Sequence, residues 1–326
     1  MRYWSFTSVA TPVMLALAAT ACGDQGSLAN PNKAPIVQVI DLSHQLTTFA
    51  PKPGNAAADR SAADLTKPVN GSRVVAAFSD QMVLIPVPDF PTGDGVFKLN
   101  TTILPENLGT SIDAGGHFVA NQPTVANPDQ RGLADLTVDD LTGPVVVIDI
   151  GARVDAELSK NEGNPGPIEA TNFGSATASV VTAADIDAIA GQLEDRTWVI
   201  VHTGWSQFYW SSGPGQQGPY VNGFNYPGFS EEAIARLIQI ETSRGIRING
   251  IGADNLTVDA GEETGAPDFA AGAFPAHRHG LARGWKMLEN LANTAELRTG
   301  CTLFVGAMNH RGSVAGWARI FARCTR

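Results

Sequence analysis

The sequence predicts a single α/β domain built on a compact, barrel-like mixed sheet flanked by helices. Short runs rich in β-branched residues alternate along the chain with amphipathic segments of helical period. Hydrophobic residues make up 43% of the 326 positions and charged residues 17%, which is enough apolar surface for a large core. The 34 glycines and 20 prolines indicate many turns and argue against a helical bundle.

Residues 1–21 have the pattern of an export signal. Arg2 provides the positive start, residues 9–19 (VATPVMLALAA) form a short apolar run, and small residues follow. This run is well short of the roughly 20 apolar residues that a membrane-spanning helix needs. Because residues 19–22 (ATAC) resemble a bacterial lipobox, Cys22 is the predicted lipidation site. Ordinary cleavage that leaves a soluble periplasmic protein is the alternative.

The segment 22–35 is polar and turn-forming, which predicts a lipoprotein-type tether before a folded domain over 36–326. The protein is therefore expected in the periplasm or at the outer membrane, with a lipid anchor as its only membrane contact. In that oxidising compartment Cys301 and Cys324 are expected to form a disulfide. Two free buried thiols are the alternative.

Three strands and one helix are predicted between residues 36 and 203. A β-branched run over 36–42 (IVQVIDL) predicts the first strand, and the apolar run 145–150 (VVVIDI) predicts a strand covered on both faces. Thr182 has the chemistry of an N-cap for a helix that extends to about residue 193. The run 198–203 (WVIVHT) predicts the following strand.

The second half continues the same alternation. Ser230 is a predicted N-cap for a helix that ends at Gly245, and residues 246–253 (IRINGIGA) predict a strand. A helix over 284–293 and a strand over 302–306 are predicted to close the chain.

Two segments, 152–178 and 211–227, are rich in Gly, Pro, Asn and Ser and fit no regular element. Long loops of this kind are often functional lids or rims, and simple surface insertions are the alternative.

The formal net charge of −10 argues against a nucleic-acid partner, because binding to phosphates requires a basic face. The sequence also lacks a phosphate-binding G-x-x-x-x-G-K pattern and a G-x-S-x-G nucleophile motif. A small-molecule ligand is therefore the expected partner.

Two stretches concentrate residues with catalytic chemistry. Asp113 and His117 lie four positions apart in a Gly-rich segment, and His277 precedes Glu289 by twelve positions. Glu289 sits in an apolar stretch, where a carboxylate is costly to bury unless it is paired or bound to a metal. These residues suggest a metal site, and a capped helix with a hydrogen-bonded buried glutamate is the alternative.

At these residues the chain resembles the cyclase family of metal-dependent hydrolases, which includes bacterial kynurenine formamidase and isatin hydrolase. The family signature is His-x-Gly-Thr-His-x-Asp-x-Pro-x-His-Phe, and this chain matches it at Gly109, Thr110, Asp113, His117 and Phe118. Further similarity is found at 41–44 (DLSH), 143–149 (GPVVVID), 203–205 (TGW), 250–254 (GIGAD), 274–278 (FPAHR) and 288–291 (LENL).

The chain departs from the signature where the family has two histidine ligands. Asn107 and Ser111 occupy those positions, and Gly115 replaces the proline. Asparagine and serine are weak neutral oxygen ligands that do not replace two imidazoles for zinc. The residues that match a second metal position of the family, Asp113, His277 and Glu289, are present. His117 matches the residue that serves the family as a proton shuttle.

The resemblance implies the swivelling β/β/α fold of the family and one divalent ion, Zn or Mn, rather than two. It implies Asp113, His277 and Glu289 as metal ligands and His117 as the catalytic proton shuttle, or alternatively as a fourth ligand. The implied pocket residues are Asn107, Ser111, His44 and Trp205.

The activity implied by the resemblance is hydrolysis of a cyclic or N-formyl amide, or of a lactone, as in the arylformamidases of tryptophan and kynurenine catabolism. A homodimer or larger assembly is also implied. Because Asn107 and Ser111 replace two histidine ligands of the family, two alternatives stay open. One is a metal-free site that binds a family-like substrate, and the other is a catalytically weak or inactive ligand-binding lipoprotein.

Overall fold

A computed structural model describes residues 35–44, 83–86, 100–103, 106–118, 131–159, 180–211, 220, 226–261 and 274–325. The predicted signal peptide 1–21, the lipidation site Cys22 and nearly all of the tether 22–35 lie outside these residues and stay predictions. In the described part of the chain, no helix combines the length and apolar character needed to cross a membrane.

The strands and helices predicted between residues 145 and 253 are present, but a strand over Ala315–Thr325 that the sequence does not predict follows the one expected to close the chain. The strands are β1 (Val37–Asp41), β2 (Val83–Pro86), β3 (Asn100–Ile103), β4 (Ser111–Asp113), β5 (Thr142–Asp149), β6 (Val180–Val181), β7 (Thr197–His202), β8 (Gly228–Phe229), β9 (Ile248–Ala253), β10 (Lys286–Glu289), β11 (Thr302–Ala307) and β12 (Ala315–Thr325). The α-helices are α1 (Gly151–Ser159), α2 (Ala183–Ile189) and α3 (Glu231–Arg244), and a π-helical turn spans His277–Leu281. Short 3₁₀ turns span Gly115–His117, Leu133–Asp135, Val138–Asp140, Ala190–Gln192, Trp205–Ser211 and Thr294–Glu296.

Eight strands form one mixed sheet in the order β1-β12-β11-β5-β7-β9-β10-β4. The strands β5, β7, β9 and β10 run parallel, as expected where helices connect them, and the other pairs are antiparallel. The long strand β12 pairs with β11 through residues 318–323 and with β4 through residues 315–317. The second pairing closes the sheet into a barrel, and the predicted α/β fold with a barrel-like mixed sheet is therefore confirmed.

Side chains of the parallel strands alternate between two cores. On β7, Trp198 and Ile200 join one buried cluster with Ile112 of β4 and Leu288 of β10. Val199, the next residue along β7, belongs to the other cluster, which includes buried side chains of α2 and α3. Because successive residues of a strand face opposite sides of the sheet, the continuous apolar runs of β5 and β7 contribute side chains to both cores.

The predicted helix caps are present. The Thr182 hydroxyl accepts a hydrogen bond from the amide of Asp185, whose carboxylate accepts one in return from the Thr182 amide. Ser230 caps α3 through the amide of Ala233, and Gly245 ends that helix at φ 62°. This left-handed conformation is readily adopted only by glycine and a few polar residues.

The predicted helix over 284–293 is wrong. Residues Lys286–Glu289 form β10, in which all four side chains are buried between β9 and β4. Asn290 and Asn293 then adopt φ values of 54° and 53°, which a continuing α-helix does not allow. Tertiary pairing therefore overrides the helical preference of Lys, Met, Leu and Glu.

The segments expected to lack regular structure are only partly described. The first, 152–178, begins as the helix α1, which buries Val154 and Glu157, so this part of the prediction is wrong. Of the second, 211–227, the described positions are Ser211, Tyr220 and 226–227. The remaining positions of both segments lie outside the described residues.

A buried ion pair attaches β10 to the 3₁₀ turn Val138–Asp140. Lys286 Nζ lies 3.0 Å from Asp140 Oδ1, and both side chains are almost fully buried. Burial acts to raise the pKa of Asp140, but hydrogen bonds from Thr137 and the ammonium group of Lys286 outweigh it and lower that pKa. The ionised carboxylate therefore stabilises the folded state.

We expect Asp140→Ala to destabilise the protein by about 3–5 kcal/mol at neutral pH, because the ammonium group of Lys286 loses its closest counter-charge. Since the folded pKa is depressed, this stabilisation is complete above the unfolded pKa of about 4 and is lost as the pH falls toward the folded value. Urea denaturation at several pH values tests this, with Asp139→Ala as the exposed control. A small effect, or one that does not shrink in acid, would contradict the prediction.

The structure joins Cys301 and Cys324 in a disulfide between the beginning of β11 and the end of β12, with Cα atoms 4.3 Å apart. The bridge closes a segment with a sequence separation of 23 residues. Reduction is expected to lower the free energy of unfolding by about 3 kcal/mol, through the entropy that the unfolded chain regains. Urea denaturation with and without reductant measures this, and the Cys301→Ala, Cys324→Ala double variant should be insensitive to reductant. Equal stability of the oxidised and reduced protein would contradict the prediction.

Candidate metal centre

The pairing of β4 with β10 brings two carboxylates to one surface of the sheet. Glu289 is opposite Ser111, and Met287 is opposite Asp113 in the antiparallel register. Ile112 and Leu288 alternate with these residues and point into a hydrophobic core. Because strand side chains alternate, Asp113 and Glu289 share the other face.

His277 lies in the π-helical turn and faces both carboxylates. Its Nε2 atom is 3.4 Å from Asp113 Oδ2 and 3.3 Å from Glu289 Oε1. The other ring nitrogen, Nδ1, lies 2.5 Å from Asp259 Oδ2. All three carboxylates and the imidazole are buried.

The contacts of His277 Nε2 with the two carboxylates have the separation expected of ligands on one divalent cation. Two ligands that bind one zinc ion in tetrahedral geometry lie about 3.4 Å apart, given metal–ligand distances of about 2.1 Å. The distances from His277 Nε2 to Asp113 and Glu289 match this separation. Asp113 Oδ2 is buried and accepts no hydrogen bond in the described part of the chain, so it retains the lone pairs that a ligand requires.

The electrostatics of the site favour a positive charge between the carboxylates. Burial disfavours the charged form of His277, but its polar contacts with the carboxylates of Asp113, Asp259 and Glu289 outweigh burial and raise its pKa well above the ordinary value. Burial, together with the charge of Asp113, raises the pKa of Glu289. The carboxylates therefore favour a proton on His277 where a cation would otherwise balance their charge.

His117 lies beside this group, in the 3₁₀ turn Gly115–His117. Its Nε2 atom is 3.9 Å from Asp113 Oδ1, the oxygen that does not face His277. One donor atom each from Asp113, His117 and His277 lie within 4.8 Å of one another. With its side chain 28% exposed, His117 is more accessible than His277, at 6%.

Asn107 and Ser111 lie next to Asp113 but contribute no imidazole. The Asn107 amide group Nδ2 donates a 3.3 Å hydrogen bond to Asp113 Oδ1. Ser111 Oγ is buried and has no hydrogen-bond partner in the described portion. Asn107 thus engages one oxygen of Asp113 and leaves the other for a ligand.

The two remaining predicted pocket residues differ in their surroundings. The His44 ring stacks on Tyr209 with centroids 3.7 Å apart, and its backbone amide donates to Thr110 Oγ1. Burial lowers the pKa of His44 to about 4, so its imidazole is neutral at pH 7. Trp205 is fully buried among core side chains, and its indole donates to the carbonyl of Tyr220. The pocket roles of His44 and Trp205 stay predictions.

Sequence reasoning did not find Asp259 as part of this region. Asp259 precedes His277 by 18 positions, and no motif spacing links them. A single sequence carries no signal that selects this residue.

The structure resembles solved hydrolases of low sequence identity. Isatin hydrolase A from Labrenzia aggregata, bound to benzyl benzoate, has a TM-score of 0.61 at 22% identity, covering 89% of this chain and 94% of that one. Isatin hydrolase A from Ralstonia solanacearum gives 0.59 at 17% identity, covering 88% and 92%. A predicted metal-dependent hydrolase from Bacillus stearothermophilus gives 0.50 at 16% identity, covering 88% and 98%. These likenesses show a shared fold.

No curated protein matches the sequence. The family model described as "Putative cyclase" matches residues 40–260, which is more than half of the chain and includes Asp113 and His117. This match confirms the resemblance seen in the signature, and the chain belongs to the cyclase family.

Proposed function

We propose that this protein is a metal-dependent hydrolase of a cyclic or N-formyl amide. The observation that carries the proposal is the position of His277 Nε2, 3.4 Å from Asp113 and 3.3 Å from Glu289. His277 Nε2 thus lies within reach of one oxygen of each carboxylate, and Asp113 Oδ2 has no hydrogen-bond donor among the described residues. The similar folds of isatin hydrolases support the hydrolase assignment.

In this proposal Asp113, His277 and Glu289 hold one Zn or Mn ion. The chemistry that such an ion supplies when bound is polarisation of the amide carbonyl and acidification of a water molecule. Asn107 and Ser111 favour one ion over two, because neither supplies the imidazole ligand that the family has at its position.

His117 is the proposed proton shuttle. Its imidazole takes a proton from the attacking water as the oxygen bonds to the carbonyl carbon, and it then delivers that proton to the nitrogen as the C–N bond breaks. The products are a carboxylic acid, which releases its proton to solvent and becomes a carboxylate, and an amine, and they are joined in one molecule when the substrate is cyclic. The partial exposure of His117 allows its proton to exchange with solvent.

The surroundings favour a flat, uncharged substrate. The stacked rings of His44 and Tyr209 are parallel to within 5°, and the low pKa of His44 keeps its ring neutral. Asn107 Nδ2 and Ser111 Oγ are hydrogen-bond donors that could stabilise the developing negative charge on the carbonyl oxygen. An aryl formamide or a ring-fused lactam has the shape and polarity that these groups accommodate.

The test is hydrolysis of isatin, N-formylkynurenine and simpler aryl formamides by protein stripped with chelator and reloaded with Zn²⁺ or Mn²⁺. We expect ring opening or deformylation that is lost on stripping and restored by reloading. Turnover of N-formylkynurenine should be weak, because Asn107 and Ser111 supply no imidazole ligands. Binding of these compounds without turnover by the loaded protein would instead support the ligand-binding alternative.

A matched pair of histidine variants strengthens this test. His277→Gln should abolish cation binding and turnover, because Asp113 and Glu289 alone make a poor zinc site. His279→Gln, at a largely exposed position two residues away, should retain both. Equal behaviour of the two variants would contradict the proposed site.

A further inference from the structure

We infer that Asp259 is a positioning residue for the cation site, fixing the His277 ring so that Nε2 faces Asp113 and Glu289. The inference rests on the proposed function, because it assigns Asp259 a part in cation binding. Asp259 itself donates no ligand atom in this account. Its carboxylate acts through the far side of the His277 ring.

The Asp259 carboxylate makes contacts on both of its oxygens. Oδ2 lies 2.5 Å from His277 Nδ1 and accepts a longer hydrogen bond of 3.4 Å from the His277 amide. Oδ1 accepts a 2.6 Å hydrogen bond from the amide of Ala276. One carboxylate therefore holds both the start of the helical turn and the ring that the turn presents.

The backbone at Asp259 is held firmly enough to transmit this orientation. Asp259 forms an isolated β-bridge with Phe229 and is fully buried. The hydrogen bonds Phe229 N to Val258 O, at 2.9 Å, and Ala260 N to Phe229 O, at 3.2 Å, flank it. A Cβ atom at Gly228 would lie 2.6 Å from the Asp259 carbonyl oxygen, which shows how closely the two segments approach.

The choice of nitrogen follows from hydrogen-bond chemistry. A carboxylate oxygen accepts hydrogen bonds, so in the cation-binding form of His277, which is the neutral ring, the proton stays on Nδ1 and Nε2 keeps its lone pair. Nε2 is the atom that faces Asp113 and Glu289. Carboxylate partners of this kind orient metal-binding imidazoles and raise their basicity.

Asp259→Asn separates this role from simple capping of the turn. The amide oxygen of asparagine can still accept from the Ala276 amide, so the turn keeps its cap. The NH₂ group then faces His277 Nδ1 and donates to it, which moves the ring proton to Nε2. A proton on Nε2 blocks the lone pair that the cation requires.

Chelator-competition titrations with Zn²⁺ and Mn²⁺ test the inference. We expect Asp259→Asn to bind each ion about 10- to 100-fold more weakly than the unmodified protein. Asp185→Asn is the matched control, because Asp185 caps α2 through the amide of Thr182, far along the chain from the site residues. The control should keep the unmodified Kd. An unchanged Kd in folded Asp259→Asn would overturn the inference and leave the proposed function intact.

A spectroscopic readout on the unmodified protein covers the case in which Asp259→Asn does not fold. In ¹⁵N NMR of zinc-loaded protein, with the His277 signals assigned by their loss in His277→Gln, the ring proton should reside on Nδ1 and zinc should be bound at Nε2. The reverse assignment would overturn the inference while supporting a metal site. Failure of the unmodified protein to bind either ion would overturn the inference together with the proposed function.

Discussion

His117→Gln is expected to lower kcat by about 10²- to 10⁴-fold, the range associated with loss of a positioned general acid–base group. Cation affinity should stay close to that of the unmodified protein. The reason is geometric. His117 Nε2 lies 3.9 Å from Asp113 Oδ1, whereas His277 faces the other oxygen, Oδ2. Steady-state kinetics on the best amide substrate, combined with Zn²⁺ titration, measures both quantities.

His279→Gln serves again as the control, because it removes an exposed imidazole outside the site. If His117→Gln lost cation affinity in parallel with kcat, His117 would be a fourth ligand. The proton-transfer role assigned to it would then be wrong.

Asn107→His combined with Ser111→His is expected to add a second bound cation and to raise turnover of aryl formamides. Both positions lie beside Asp113, and the double variant completes the histidine pattern of the cyclase signature. The Asn107 amide also leaves Asp113 Oδ1, which frees that oxygen for a second ion. Metal analysis of the purified double variant and kinetics on a formamide panel measure the two outcomes.

Asn107→Ala separates the gain of ligands from the loss of the amide contact. It frees Asp113 Oδ1 without adding an imidazole, so it should bind no second ion. The account of this site would be contradicted if the folded double variant bound no more metal than Asn107→Ala. It would also be contradicted if the second ion bound without any gain in turnover.

Local signals explain which parts of the fold were predictable. The caps at Thr182 and Ser230 depend on side chains within three residues of the helix start, and both are where the sequence indicates. The strand β10 was mistaken for a helix because its residues have helical propensity. What determines its structure is pairing with β9 and β4, whose residues lie far away along the chain.

The candidate site also contains residues that the sequence predicts and one that it does not. Asp113, His117, His277 and Glu289 carry recognisable spacing and a signature, and the structure brings them together. Asp259 has no such spacing, because its contact with His277 depends on tertiary structure, which includes its bridge to Phe229. The proposed role of Asp259 in orienting the His277 ring therefore depends on tertiary structure alone.

The number of bound metal ions tests the central claim most directly. Protein purified without chelator, dialysed against excess Zn²⁺ or Mn²⁺ and then against metal-free buffer, should retain one ion per chain by elemental analysis. That ion should be absent from His277→Gln and present in His279→Gln. Two ions in the unmodified protein would show that Asn107 and Ser111 belong to a working ligand set, and no ion would show that Asp113, His277 and Glu289 do not form a metal site.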